Sequence, residues 1–229
     1  MSPLVKICGL NSLAALDAAL QAGADLVGFV RYPRSPRHIG LEEGRALAER
    51  ARGKALRAAL TVDADDAELA AIVEALDPDI LQLHGEETPA RVAAVRGRFG
   101  RPVMKAVGIA GPADLDRLAA YADMADRLLL DAKPPRSAEA LPGGNGLPFD
   151  WGLIAGLDLS RPFMLSGGLA PENVAEAIRL TGARALDVSS GVERRPGEKD
   201  PAKIEAFVRA ARAAWAEAEA RPETKDKVA

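Results

Sequence analysis

Eight short apolar runs, separated by segments with a helical spacing of apolar residues, constrain the fold of this chain more than any other feature. The runs are rich in Val, Ile and Leu, as expected for parallel strands that are buried on both faces of a sheet. The predicted strands are Leu4 to Cys8, Asp25 to Val30, Ala55 to Val62, Asp79 to Leu83, Val103 to Val107, Arg127 to Asp131, Pro162 to Leu165 and Arg184 to Val188.

Helical patterns lie between these strands. Leu69, Ile72, Val73 and Leu76 follow the i, i+3, i+4, i+7 spacing of one helix face, and residues 204–211 repeat it. Helix starts are predicted where a proline suits the first turn, with or without a capping side chain before it, at Thr88-Pro89, Asp200-Pro201, Pro112 and Pro171.

The regular alternation of strand and helix predicts an α/β fold with a parallel sheet, and eight units favour closure into a single (β/α)8 TIM barrel over an open doubly wound sheet. We place this barrel at residues 1–216 and expect the charged residues 217–229 to form a disordered tail. After the sixth strand, the prolines and glycines of residues 133–147 predict a mobile or ligand-covering loop. A short helix is expected near Trp151 to Leu157.

Charge and cysteine content exclude several classes of protein. The net charge is −3, and no basic stripe is interleaved with aromatic residues, so nucleic acid is not expected as a partner. One cysteine excludes an internal disulfide and offers no cysteine pair to a metal. No run reaches the roughly 18 apolar residues of a membrane span. The first residues lack the features of a signal peptide, and we expect a cytoplasmic protein.

Two reactive side chains end predicted strands, which is where the active site of a TIM barrel lies. Cys8 ends the first strand, and it is either a small buried hydrophobe or a base or nucleophile whose pKa is lowered by a nearby cation or helix terminus. Asp131 ends the sixth strand, and it either caps the following turn or acts as a general acid with a raised pKa.

Other polar residues lie at or just after strand ends. Arg37 is either a solvated loop charge or a guanidinium that binds a carboxylate. Gln82 and His84 either form hydrogen bonds at the strand end or contact a ligand directly, and Asp187 is a further strand-end candidate. The spacing of these residues does not decide between these alternatives.

Two clusters of serine and glycine follow the last two strands. They are Ser166-Gly167-Gly168 and Ser189-Ser190-Gly191. Either cluster alone is compatible with an ordinary turn. Together they predict a phosphate site, because TIM barrels often bind phosphate with the backbone N–H groups of these two loops and glycine allows the close approach.

A set of motifs in chain order carries a family resemblance. The motifs are VKICGL, SPRHI, LQLHG, LLLDAK, PGGNGLPFDW, FMLSGGL and LDVSSGVE, and they extend from Val5 to about Val208. Together they resemble the phosphoribosylanthranilate isomerases of tryptophan biosynthesis. That resemblance implies a (β/α)8 barrel without cofactor or metal. The implied reaction is an Amadori rearrangement of N-(5-phosphoribosyl)anthranilate to 1-(2-carboxyphenylamino)-1-deoxyribulose 5-phosphate.

The resemblance also implies roles for particular residues. Cys8 matches the family's general base and Asp131 its general acid. Arg37 is expected to hold the anthranilate carboxylate, Asp187 to lie near the sugar hydroxyls, and His84 to contact the substrate. The phosphate is expected at Gly167, Gly168, Ser189, Ser190 and Gly191. The expected partner is therefore a small phosphosugar, and the assembly is open between monomer and homodimer.

The chain departs from the family pattern at two places, residues 144–148 and Arg31. Both affect loop packing and closure over the substrate more than the type of reaction.

Two other functions remain open from sequence alone. Another phosphosugar barrel enzyme is one: indole-glycerol-phosphate synthase would need a lysine at a strand end, and ribulose-phosphate epimerase would need metal-binding histidines, of which the chain offers only His38 and His84. A catalytically silent phosphate-binding barrel is the other, and turnover would exclude it.

Overall fold

Eight parallel strands form a closed barrel. In this computed structural model, residues 2–133, 143, 149–157, 159 and 162–220 are described. The barrel strands are β1 (Leu4–Cys8), β2 (Leu26–Arg31), β3 (Leu56–Thr61), β4 (Ile80–Leu83), β5 (Val103–Ile109), β6 (Arg127–Ala132), β7 (Phe163–Leu165) and β8 (Ala185–Val188). Each strand pairs with its neighbours in chain order, and β1 pairs with β8 to close the ring. The predicted (β/α)8 barrel is confirmed.

Helices connect most of the strands, and a small hairpin follows β8. The helices are α1 (Leu13–Gln21), α2 (Leu41–Ala51), α3 (Asp66–Leu76), α4 (Pro89–Phe99), α5 (Pro112–Ala122), α6 (Val174–Thr181) and α7 (Pro201–Ala220). The hairpin consists of β9 (Glu193–Arg195) and β10 (Glu198–Lys199), which pair antiparallel. Between β6 and β7, a 3₁₀ helix covers Trp151–Ile154, within the short helix predicted there.

Most predicted helix starts are confirmed, and one is wrong. Thr88 caps α4 and Pro89 follows it, while Pro112 and Pro201 begin α5 and α7. Pro171 does not begin α6, which starts at Val174. The side chain of Asn173 accepts a hydrogen bond from the Ala170 amide and donates one to the Gly168 carbonyl, so residues 170–173 form a turn instead.

The last helix extends beyond residue 216, where we predicted that the barrel domain ends and the tail begins. Helix α7 continues to Ala220, where Glu219 forms an ion pair with Arg184 at 3.0 Å. Residues 217–220 are therefore helical, although their charged composition predicted a tail. The remaining residues of that tail, 221–229, lie outside the described residues, as does the predicted loop of residues 133–147 apart from Lys133 and Gly143.

The barrel interior is built in layers by the two-residue period of the strands. One apolar layer takes buried side chains from β2 to β8, with Leu4 of β1 packed against it. Because side chains alternate across a strand, the residues two positions further along point to the same interior. Those residues include Lys6, Gln82 and Asp187, all of which are buried. A polar layer therefore separates the apolar core from the C-terminal mouth of the barrel.

None of the helices within the described ranges is long and apolar enough to cross a membrane.

Candidate active site

A pocket opens at the C-terminal ends of the barrel strands. Nine of the ten predicted site residues line it, namely Cys8, Arg37, His84, Asp131, Gly167, Gly168, Asp187, Ser189 and Ser190. Residues far apart in the chain therefore meet at one mouth, as barrel closure requires.

Gly191 does not line the pocket, and its role is to let two loops approach. A Cβ atom on this residue would lie 1.9 Å from the carbonyl oxygen of Leu169, a contact that no side chain permits. Gly167 has φ +83° and would place a Cβ 2.6 Å from the amide nitrogen of Ala132. Glycine at these positions thus brings the loops after β7 and β8 together and against the end of β6.

Cys8 lies above a buried ion pair that the sequence analysis did not identify. Lys6 is fully buried, and its Nζ donates a hydrogen bond to Oδ1 of Asp187 at 2.7 Å. Ser166 Oγ donates to the other oxygen of Asp187, at 3.3 Å. Burial raises the pKa of the Cys8 thiol; the Lys6 ammonium opposes that rise, and the Asp187 carboxylate adds to it.

Asp131 is joined to His84 on the opposite side of the pocket. Nε2 of His84 lies 3.2 Å from Oδ2 of Asp131, and the backbone N–H of Ala132 donates to Oδ1 at 2.8 Å. Nδ1 of His84 lies 3.1 Å from the side-chain nitrogen Nε2 of Gln82, which belongs to the polar layer of the barrel interior. This chain of contacts fixes the direction of the Asp131 carboxyl group, which is buried.

Arg37 is held by a buried carboxylate from the hairpin. Its Nε and Nη2 donate to the two oxygens of Glu193 at 2.8 and 2.9 Å. Lys199 Nζ donates to Oε1 of the same carboxylate at 2.8 Å and to the carbonyl oxygen of Ser189 at 2.8 Å. The sequence analysis assigned no role to Glu193 or Lys199.

The charges of this second cluster perturb one another. Burial would raise the pKa of Glu193, but Arg37 and Lys199 hold it below its usual value. Burial lowers the pKa of Lys199 to about 8, although Glu193 pulls it the other way. Two cations against one carboxylate leave the cluster with a net positive charge beside the pocket, which favours an anionic ligand.

Within the part of the chain that the structure describes, no group of three or more His, Cys, Asp or Glu side chains could hold a metal ion.

Comparison with known proteins places the chain in a family. The family model for N-(5'-phosphoribosyl)anthranilate (PRA) isomerase matches residues 5–210. The chain belongs to the PRA isomerase family. The isomerase activity in tryptophan biosynthesis and the family predicted from the sequence motifs are thereby confirmed.

Individual PRA isomerases resemble the chain over nearly its full length. The enzyme of Bradyrhizobium diazoefficiens is 60% identical over 213 residues, which are 93% of this chain and 95% of the relative. The crystal structure of the Thermotoga maritima enzyme has a TM-score of 0.83 at 36% identity and covers 93% of this chain and 100% of that one. A PRA isomerase in complex with reduced 1-(o-carboxyphenylamino)-1-deoxyribulose 5-phosphate has a TM-score of 0.80 at 34% identity, with the same coverage of both chains.

Proposed function

We propose that the pocket carries out the PRA isomerase reaction with Cys8 as general base and Asp131 as general acid. The observation that supports this assignment is that the two side chains line one pocket from different strands, β1 and β6. A proton must be given at one part of the substrate and taken at another, so the acid and the base must be separate groups.

The chemistry begins at Asp131. Its carboxyl group protonates the furanose ring oxygen of N-(5-phosphoribosyl)anthranilate, and the ring opens to a Schiff base. The Cys8 thiolate then removes the proton from C2′, and the C–H electron pair forms the double bond of an enolamine. The enolamine tautomerises to the ketone 1-(2-carboxyphenylamino)-1-deoxyribulose 5-phosphate. Cys8 ends with a proton and Asp131 without one, and exchange with solvent resets both groups.

The substrate carries two anionic groups, and the pocket offers a place for each. We assign the anthranilate carboxylate to Arg37, which lines the pocket within the positively charged cluster around Glu193. The phosphate is assigned to the loops of Gly167, Gly168, Ser189, Ser190 and Gly191. The reduced product found in a structural relative supports a phosphosugar ligand for this barrel.

Two further side chains complete the proposed substrate contacts. Asp187 lines the pocket beside Ser166 and is assigned to the sugar hydroxyl groups. His84 is assigned a contact with the substrate close to Asp131, with which it already shares a hydrogen bond. A monomeric or homodimeric assembly and a cytoplasmic location stay predictions from the sequence.

The deciding experiment follows anthranilate fluorescence during turnover of substrate generated in situ. Wild type is expected to remove the signal rapidly, whereas Cys8→Ala and Asp131→Asn should lower kcat by about 100-fold or more, because each removes one proton-transfer group. The exposed Asp116 on α5 supplies the control Asp116→Asn, which should turn over as wild type does. Thermal unfolding of each variant separates loss of chemistry from loss of fold.

Two results would contradict the proposal. If wild type removes the anthranilate fluorescence no faster than the spontaneous reaction does, the barrel does not catalyse the proposed reaction. Cys8→Ala with normal turnover but a large loss of stability would mean that the thiol is only part of the core.

A further inference from the structure

A buried lysine that the proposed mechanism does not use lies beneath the reactive thiol. Lys6 is two positions before Cys8 on β1, so both side chains point into the barrel. Lys6 is fully buried, and Cys8 is 3% exposed. A buried ammonium requires a specific reason, because removing it from water is costly unless it is paired.

The pairing with Asp187 accounts for the burial of Lys6. In the closed barrel Lys6 and Asp187 are register partners on the adjacent strands β1 and β8, and their side chains lie 2.7 Å apart. Although burial alone would lower it, the pKa of Lys6 is raised, because Asp187 and Cys8 lie next to its charge. The lysine is therefore a cation in the folded protein.

The geometry at Gly28 of β2 shows that the Lys6 ammonium and the Cys8 thiol lie close together. A Cβ atom on Gly28 would lie 2.8 Å from Sγ of Cys8 and 3.0 Å from Nζ of Lys6. Both atoms therefore occupy the space that a side chain at this position would fill. An opposite charge within about 4–6 Å favours the ionised form of a titratable group.

We infer that Lys6 is the cation that stabilises the thiolate of Cys8, and that Asp187 positions Lys6 for this task. The inference rests on the proposed role of Cys8 as the base. Lys6 acts through Cys8 and is a positioning residue. Without a cation at this place, burial would keep the thiol protonated, and a protonated thiol cannot accept the C2′ proton.

Other charged groups also face Cys8, and the test must hold them constant. Lys199 of β10 favours the thiolate, and Asp187 opposes it. Arg37 comes close to Gly9, the next residue in the chain: a Cβ on Gly9 would lie 2.5 Å from Cδ of Arg37. Glu193 pairs with both Lys199 and Arg37.

The single cysteine of the chain allows a direct measurement of its ionisation. The probe is iodoacetamide, which reacts with the thiolate, and the adduct is counted by intact mass between about pH 6 and pH 10. The decisive pair is Asp187→Asn and the double variant Lys6→Met/Asp187→Asn. These proteins differ only at residue 6, and neither retains the Asp187 charge without a partner.

The expected result is a shift of the alkylation midpoint. In the double variant the midpoint should lie about one pH unit or more above that of Asp187→Asn, so alkylation below the midpoint should be about 10-fold slower. In Asp187→Asn the amide oxygen of residue 187 can still accept a hydrogen bond from Nζ of Lys6 and so keep the ammonium beside Cys8. The opposing carboxylate charge is gone, so the midpoint of Asp187→Asn should in turn lie below that of wild type. The control Lys133→Met removes a half-exposed lysine that also lines the pocket, and its midpoint should equal that of wild type.

Equal midpoints in the decisive pair would overturn the inference. The pH profile of kcat/KM gives a second readout, in which the acid limb of the double variant should lie at higher pH than that of Asp187→Asn. Turnover by Cys8→Ala distinguishes the two proposals. A normal rate in that variant would remove the thiol from the mechanism, whereas equal alkylation midpoints would remove only Lys6.

Discussion

Arg37 is the residue whose structural environment differs most from the environment that the sequence predicts. The sequence offered a solvated loop charge or a guanidinium ready for a carboxylate, and the structure places a protein carboxylate, Glu193, against two of its nitrogens. The residue is 4% exposed. A guanidinium clamped in this way presents a fixed face to the pocket, so little conformational entropy is lost when an anion binds.

Replacing Arg37 tests its contact with the substrate. Arg37→Ala should raise KM by about 10-fold or more, because a charge-assisted hydrogen bond to the carboxylate is lost, with a smaller change in kcat. Steady-state kinetics with the fluorescence assay measures both constants. Kinetics identical to those of wild type would remove Arg37 from the site.

Glu193 offers a matched test within the same hairpin. Glu193→Gln should lower the free energy of unfolding by about 3 kcal/mol, because it breaks a buried ion pair, and it should also raise KM by loosening Arg37. Glu198 is the control: its ion pair with Arg195 is largely exposed, so Glu198→Gln should change stability by less than about 0.5 kcal/mol. Urea unfolding compares the two, and equal effects would contradict the role given to Glu193.

At the scale of elements, the strand and helix pattern was predictable, whereas charged segments were not. The hairpin of β9 and β10 has the sequence Glu193-Arg194-Arg195-Pro196-Gly197-Glu198-Lys199, which lacks the apolar alternation of a strand. Two of the contacts that hold it are buried, those of Glu193 and Lys199, and they exist only once Arg37 and Ser189 are in place. Local sequence cannot contain that information.

The end of α7 is a second case, and it leads to a prediction. Trp215 is 4% exposed and donates its indole N–H to the carbonyl of Ala183 at 2.8 Å, whereas the Glu219–Arg184 ion pair further along is exposed. Ending the chain after residue 216 should therefore cost less than about 1 kcal/mol. Trp215→Ala should cost about 3–5 kcal/mol, because it leaves a cavity in the core.

Chemical denaturation of the two proteins checks this ranking. A truncation that destabilises the barrel as much as Trp215→Ala does would mean that the residues after 216 contribute contacts beyond the exposed ion pair.

For the molecule as a whole, the closed barrel was predictable from eight strand–helix alternations, but the polar layer inside it was not. Lys6 and Asp187 belong to the first and last strands, and they become neighbours only when β1 pairs with β8. Cys8 and Asp131 were predictable because they are reactive residues at strand ends. Lys6 was not, because a lysine inside an apolar run carries no sign of its partner until the register is known.

Stability should depend on pH through Lys199. Its pKa is about 8 in the folded protein against an ordinary value of 10.5, so between these values the unfolded chain binds more protons and stability rises with pH. Below about pH 8 both states carry the proton, and above about pH 10.5 neither does.

The measurement is the difference in unfolding free energy between wild type and Lys199→Met. This difference should shift in favour of wild type by about 3 kcal/mol as the pH rises from about 8 to about 10.5. Denaturant titrations at several pH values provide it, and a difference that stays constant would show that burial does not perturb Lys199.

The pairing of β1 with β8 has a consequence for the order in which the active site is assembled during synthesis on the ribosome. Cys8 leaves the exit tunnel long before Asp187, Ser189 and Lys199 do, because most of the barrel lies between them in the chain. A nascent chain that has folded its first seven strands still lacks the wall that completes the pocket. The proposed site is therefore complete only after the eighth strand and its loop have been made, and a chain that stops before them lacks Asp187 and Ser189.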